Sequence, residues 1–307
     1  MTPSEQRRAF ERARRAAAQR RTAIITDTRT EILRQLKEAE QQIALVLAQQ
    51  PEDASRWRLQ NLQREVRRAM DEFSGDVRPV VQRGLGAAWT AGEQLVDAPL
   101  AAARLAVEGV QAINTRALEA MREFLTDKIK DIGVEAANRI NTQLGLVVLG
   151  GQTPGAAISA VQTILGEETR ERATTIVRTE LNRAFSAAAQ ERLAEVAQRV
   201  PGMRKEWRRS GKQHARLNHA AIDGQVRDWN KPFTVQGKEG KKVELMYPLD
   251  PKAPPGETIN CGCTMLPLLP ASSGFITNMP RWRGSSADDA RRNDERVPVR
   301  SPTPAER

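Results

Sequence analysis

Aromatic side chains make up only 4% of this 307-residue chain: six Phe, five Trp and a single Tyr. A sheet-dominated protein draws on aromatic and β-branched residues to fill its pleated faces, so their scarcity argues for helices. Cysteine occurs only twice, at Cys261 and Cys263. One intervening residue sets the two Cα atoms and side-chain vectors badly for a disulfide. Thiols retained for a metal in a reducing cytoplasm fit better than a disulfide framework. No apolar run is long enough to span a bilayer, so no membrane partner is expected. The opening MTPSEQRRAFERARRAAAQRR is basic but has no apolar core, so it does not read as a secretory signal. Catalytic signatures are missing as well. There is no H-E-x-x-H of zinc proteases, no H-x-E with P-C-x-x-C of zinc deaminases, and no G-x-x-x-x-G-K-[ST] phosphate loop.

What the chain does have is positive charge, a formal +10 with 28% charged residues. Such a balance suits an acidic partner such as nucleic acid, although an arginine-rich helix face is often simply solvated. The cationic residues concentrate in the N-terminal cluster and in MRKEWRRSGKQHAR, which interleaves a tryptophan.

Hydrophobic periodicity predicts a mainly α protein. A helix is expected from about Pro3 to Gln50, with Ile32, Leu36, Ile43 and Leu47 on one face. Pro51 and PEDAS punctuate, and Trp57, Leu59, Leu62, Val66, Met70 and Phe73 form a second stripe. Gly75, Pro79, Gly84 and Gly86 are expected to loosen that helix, and Pro99 to interrupt it. A third stripe runs through Leu118, Met121, Leu125, Ile129 and Ile132, ending at Gly150–Gly151. Thr153 reads as an N-cap with Pro154 at the first helical position. GAAISAVQTIL and ETRERATTIVRTELNRAFSAAAQERLAEVAQ then read as two helices ending near Pro201–Gly202.

Beyond Gly202 the texture changes to short strand-like segments: KEWRRS, QVRDWNKPFTV and KKVELMYPL, with a turn at Asp223-Gly224 and a hairpin tip in GKEGKK. PLDPKAPPGETINCGC is too proline-rich for regular structure and reads as a loop that something must hold. The last residues are polar and charged, as expected of a disordered or partner-ordered tail. The expected architecture is therefore a long helical region (1–150), a small α+β module (151–270) and a flexible charged tail (271–307).

Both histidines and both cysteines fall inside the α+β stretch, at His214, His219, Cys261 and Cys263. His-x4-His followed by Cys-x-Cys approaches the paired-ligand pattern of structural zinc sites, with Asp223 available for a remaining contact. Asp223 lies four residues after His219, which on a helical turn would put its carboxylate behind the imidazole. Three other readings compete. The thiols are small buried side chains beside a hydrogen-bonding histidine; a cysteine pairs with His219 as a nucleophile; or His219 and Asp223 serve a zinc-dependent nucleic-acid enzyme.

An ordered string of residues carries a resemblance. Arg178-Thr179-Glu180 is followed by Lys205-Glu206-Trp207, Ser210-Gly211, His219-Ala220-Ala221-Ile222-Asp223-Gly224, Phe233, Tyr247-Pro248, Asp250-Pro251 and Asn260-Cys261-Gly262-Cys263-Thr264. Over about residues 170–270 this resembles the phage Mu F-like minor head protein family of tailed bacteriophages. That family typically has R-T-E, then H-x-x-x-D/N-G, then N-C-R-C-T. Here Gly262 replaces the arginine between the cysteines. The family more often has another polar or basic residue where His214 stands, so the resemblance favours His219, Cys261 and Cys263 over His214. It implies a non-enzymatic head-morphogenesis protein of the virion, made in the host cytoplasm and set inside the phage head near the portal vertex. The implied partners are the portal protein, major capsid or scaffold proteins and packaged DNA. The His–Cys cluster would then pin the proline-rich loop as an architectural clasp.

Overall fold

A computed structural model describes residues 1–50, 58–105, 110–212, 215–237 and 240–269. Trp57, the PEDAS segment, His214 and the tail beyond Leu269 lie outside the described residues, as does part of the GKEGKK tip. The expected class holds: long helices come first, and a small sheet-containing module follows.

Helix α1 spans Pro3–Ala48 and opens with a capping box, in which Thr2 accepts from the Glu5 amide and Glu5 accepts from the Thr2 amide. Its buried face carries Phe10, Ile25, Ile32, Leu36, Ile43 and Leu47. Burial of each such side chain contributes about 1.5–3 kcal/mol, far more than helix propensity does. Helix α2 spans Leu59–Ala102 without a break, although Pro79 and Pro99 lie within it. The interruption expected at its glycines and prolines is thus corrected. The buried stripe Val77, Val80, Val81, Leu85, Ala88, Leu95 and Val96 continues through them, and packing against α1 and two later helices outweighs the missing amides.

Two glycines of α2, Gly84 and Gly92, serve close approach instead. A Cβ on Gly84 would lie 2.6 Å from the Thr28 hydroxyl, and one on Gly92 would lie 2.3 Å from the carbonyl oxygen of Phe185. Side-chain pairs fix the helix directions. Thr28 meets Gly84 and Gln6 bonds the Ala103 carbonyl, so α1 and α2 run antiparallel. Gly92 meets Phe185 and Asp97 meets Arg192, so α2 and α5 (Arg170–Arg199) run parallel.

Helix α3 spans Arg116–Val148 and buries Leu118, Leu125, Ile129 and Ile132 as the stripe predicts, with Met121 half-buried. Helix α4, Pro154–Thr163, starts as expected, with Thr153 accepting from the Ala156 amide and Pro154 at its first turn. The break expected before α5 is absent. A π-helical turn, Ile164–Thr169, joins the two helices, and the Thr169 hydroxyl donates to the Ile164 carbonyl. Helix α5 is buried almost all round between Ala184 and Gln190, where small side chains let α2 and the sheet approach.

The module contains β1 (Arg204–Arg208), α6 (Leu217–Ala221), β2 (Val226–Asp228), β3 (Phe233–Gln236), β4 (Lys242–Leu245), α7 (Pro255–Thr258) and β5 (Thr264–Leu268). Strands β2, β1 and β5 form an antiparallel sheet in that order, with Trp207 opposite Met265, and β3 pairs with β4 as a hairpin. The sheet's buried face, including Trp207 and Met265, joins the same apolar core as the long helices. The proline-rich segment is not wholly irregular, because Pro254 and Pro255 preset the short turn α7.

Candidate metal centre

Three elements converge at the module's centre. Helix α6 delivers His219, where the Asn218 side-chain oxygen accepts from the His219 amide at 3.0 Å. Helix α7 delivers Glu257. The turn that follows carries Cys261 and Cys263, and it depends on Asn260 adopting a left-handed backbone (φ 56°), which asparagine tolerates. The Cys261 amide donates to the Thr258 carbonyl, closing the turn onto α7.

The imidazole of His219 is held from both sides. Its Nε2 lies 2.8 Å from Glu257 Oε2, and its Nδ1 lies 3.5 Å from Cys261 Sγ and 3.7 Å from Cys263 Sγ. His219, Cys261 and Cys263 are 1%, 2% and 3% exposed, and their ligand atoms all lie within 4.8 Å of one another. For a tetrahedral ion with zinc's bond lengths of about 2.05 Å to nitrogen and 2.3 Å to sulfur, the nitrogen–sulfur edge is about 3.6 Å. The observed spacings match that edge, and a carboxylate on the far ring nitrogen is the partner that orients a ligating histidine. The donor set therefore fits a metal ion. A hydrogen bond from Cys263, then His219, holds the Cys261 thiol well below its ordinary range against the effect of burial. The same bond raises Cys263.

The surroundings are rigid. Trp207 meets the His219 ring edge-on at 5.3 Å, and Phe233 meets Trp207 at the same distance. The Asn260 amide donates to the Thr179 hydroxyl at 2.9 Å, tying α5 to the cysteine turn. From α1, the guanidinium of Arg21 donates to the carbonyls of Gly262 and Cys263, both at 3.0 Å, while Arg14 donates to the Pro267 carbonyl. A pocket of about 250 Å³ opens above the turn, with the two cysteines at its base and Ser210, Lys212, Arg216 and Asn260 around it.

Of the sequence-predicted site residues, His219, Cys261 and Cys263 come together, and His214 lies outside the described residues. The placement expected for Asp223 is corrected. Helix α6 ends at Ala221, so residue 223 is not one turn further along a helix. Its carboxylate instead accepts from the Arg209 amide at 2.9 Å and faces Arg208. Asn260 is engaged elsewhere too, its side-chain oxygen accepting from Lys212 at 2.9 Å. The carboxylate behind the imidazole is Glu257, which sequence reasoning missed. Its signal was the Pro-Pro-Gly-Glu string, which starts a turn with an acidic residue on it. Arg21 was missed too, and nothing local marks a side chain that acts some 240 positions away.

Residues 138–266 match the family model described as Phage Mu protein F like protein. That region of the chain is similar to phage Mu protein F. The matched region runs from within α3 into β5 and contains every described residue of the centre except Arg14, Arg21 and Pro267. The chain is also 37% identical over 102 residues to "Uncharacterized protein YqbB" of Bacillus subtilis (strain 168). That match covers 33% of this chain and 32% of YqbB, so the chain spans about a third of that curated relative's length. No solved structure matches. Among the described residues, no helix is long and apolar enough to cross a membrane.

Proposed function

We propose that this chain is a non-enzymatic structural protein of a tailed-bacteriophage head, built into the virion interior at the portal vertex and serving head morphogenesis and DNA packaging. One observation carries the reading. The ordered residues of the Mu F-like string meet around a single buried knot, where Thr179, Trp207, His219, Asn260, Cys261 and Cys263 hold one another. Its partners in this reading are the portal protein, met through the outer faces of the long helices, and major capsid or scaffold proteins. Packaged double-stranded DNA is the third, drawn by the net charge of +10.

Within the module, His219, Cys261 and Cys263 hold a structural zinc ion that fixes the proline-rich segment. His214, which lies outside the described residues, is kept as the candidate fourth ligand on the His-x4-His spacing. A nuclease built on His219 and Asp223 has no support in the geometry, because Asp223 is held by Arg208 of β1 and the Arg209 amide. The line Glu257–His219–Cys261 is also the order of a carboxylate-oriented thiol nucleophile. Burial of both sulfurs, and a second sulfur nearly as close to the ring, favour the metal.

Co-sedimentation with portal-protein oligomers tests the function. The reading expects the two to travel together at low salt; clean separation there counts against it.

A further inference from the structure

We propose that copies of this chain associate head to tail, the arginine face of α1 in one copy docking on the acidic face of α3 in the next. Residues 1–26 hold seven arginines against two glutamates, a formal +5 out of the chain's +10. Both glutamates are engaged, Glu5 in the helix cap and Glu11 with Arg14. Arg8, Arg12 and Arg15 recur at helical spacing on the exposed side, with the exposed Ala16 beside them. Arg8 donates to the Ser4 hydroxyl, and Arg12 forms no ion pair among the described residues. Further along the same helix the cations are paired, Arg34 and Lys37 being held by Glu31, Glu38 and Glu40.

Helix α3 carries the complement. Between Arg116 and Lys130 its exposed positions include Glu119, Glu123 and Asp127 and no cation. The half-buried Lys128 goes to Glu180, so none of the three carboxylates has an ion-pair partner among the described residues. They climb the helix one turn apart, as the three arginines do, at about 5–6 Å per step. Phe124, which is 48% exposed, adds an apolar surface beside them. Within one copy the two faces do not meet. Helices α1 and α3 each pack on α2 and α5 and scarcely touch each other. Gly84 of α2 meets Thr28 of α1, Gly86 meets Arg122 of α3, and Gly133 of α3 meets Met70 of α2. Thus α1 and α3 run parallel, with Arg12 about 20 Å below Glu123 along the helix axes. Each chain therefore presents one basic and one acidic edge, offset from each other. A contact between unlike faces is heterologous, so it continues from a second copy to a third. Charge pairs set its register and partner, while Ala16 and Phe124 supply apolar contact. A nucleic-acid duplex would also suit the arginines, but it leaves the matching carboxylates on α3 without a partner. The inference goes beyond the portal reading and rests neither on it nor on the metal.

Sedimentation velocity of the full chain over a concentration series tests it. At low salt, species larger than a dimer are expected to grow with concentration, and high salt should return them to monomer. Arg8→Glu/Arg12→Glu and Glu119→Lys/Glu123→Lys should each stay monomeric alone, because like charges then face each other. Mixing the two variants should restore association, since each reversed face finds its complement on the other variant. Arg12→Gln alone should weaken association about two- to fivefold, the scale of one exposed ion pair. A wild type that stays monomeric at low salt overturns the inference. So does a series that stops at a dimer, or association that neither variant changes. If both variants melt as the wild type does and still fail to associate on mixing, the two faces do not meet. If either reversed variant does not fold, Arg12→Gln and Glu123→Gln carry the test, and unchanged association in both overturns the inference. If the wild type is monomeric and the arginine variant loses binding to a short duplex, the α1 face serves nucleic acid and the inference falls.

Discussion

Replacing Glu257 with glutamine removes one charge from the buried knot while keeping its shape, and this makes it the sharpest probe of how His219 is held. Glu257 Oε2 accepts from His219 Nε2 at 2.8 Å and from Asn218 Nδ2 at 3.0 Å, with Glu257 7% exposed. Hydrogen bonds to a charged group contribute about 1.5–3 kcal/mol and neutral ones about 0.5–1.5, so converting two of them costs about 2 kcal/mol. Solvent screening does little to reduce that at this burial. For a chain of this size the loss corresponds to roughly 4 °C in melting temperature. Removing the orienting partner of a ligating histidine should also weaken metal affinity by about 10- to 100-fold. Calorimetric melting and competition with a chromophoric zinc chelator would read both. If Glu257→Gln melts with the wild type and holds zinc as tightly, while His219→Ala loses the metal, then Glu257 does not orient the ring and this account of the centre is wrong.

Further outcomes follow from the same contacts. Arg21→Met should cost about 2–3 kcal/mol in urea unfolding, since it removes two hydrogen bonds to the cysteine turn and a cation–π contact with Phe185; an unchanged midpoint would free α1 from any part in holding the module. Gly262→Ala should destabilise by about 1–3 kcal/mol, because its Cβ would lie 2.9 Å from the Ser210 Cβ. Adding Ser210→Gly should recover most of that loss, and failure to do so would locate the strain elsewhere. Burial pushes the Lys205 ammonium down to about 7, against the pull of Asp250. Between that value and the unfolded value of about 10.4, the unfolded chain binds the extra proton, so stability rises with pH across this window and is lost toward neutrality. Relative to Lys205→Met, the wild type should therefore gain stability between pH 7 and pH 9.5; parallel profiles would contradict the burial argument.

The helices were legible because their stripes repeat at three to four residues and their caps are local, as at Thr153-Pro154. The continuity of α2 was not. Gly84 reads as a breaker in one dimension and, like Gly92, as a contact point once α1 and α5 lie against α2. The π-turn that joins α4 to α5 likewise needs a packed surround to hold an extra residue. At the centre, the rarity of histidine and cysteine picked out His219, Cys261 and Cys263, and the Mu F-like string set them in order. Spacing misassigned the carboxylate, since a separation of four residues means one turn only while the helix lasts, and α6 stops at Ala221. Glu257 and Arg21 reach the centre through tertiary packing, which no local pattern encodes.

Metal analysis of the freshly purified, reduced full-length protein tests the clasp most directly. The account predicts about one zinc per chain, absent from the Cys261→Ser/Cys263→Ser variant, with strong chelation lowering the melting temperature as the metal leaves. A well-folded wild type that contains no zinc, takes none up and melts identically with and without chelator would contradict it.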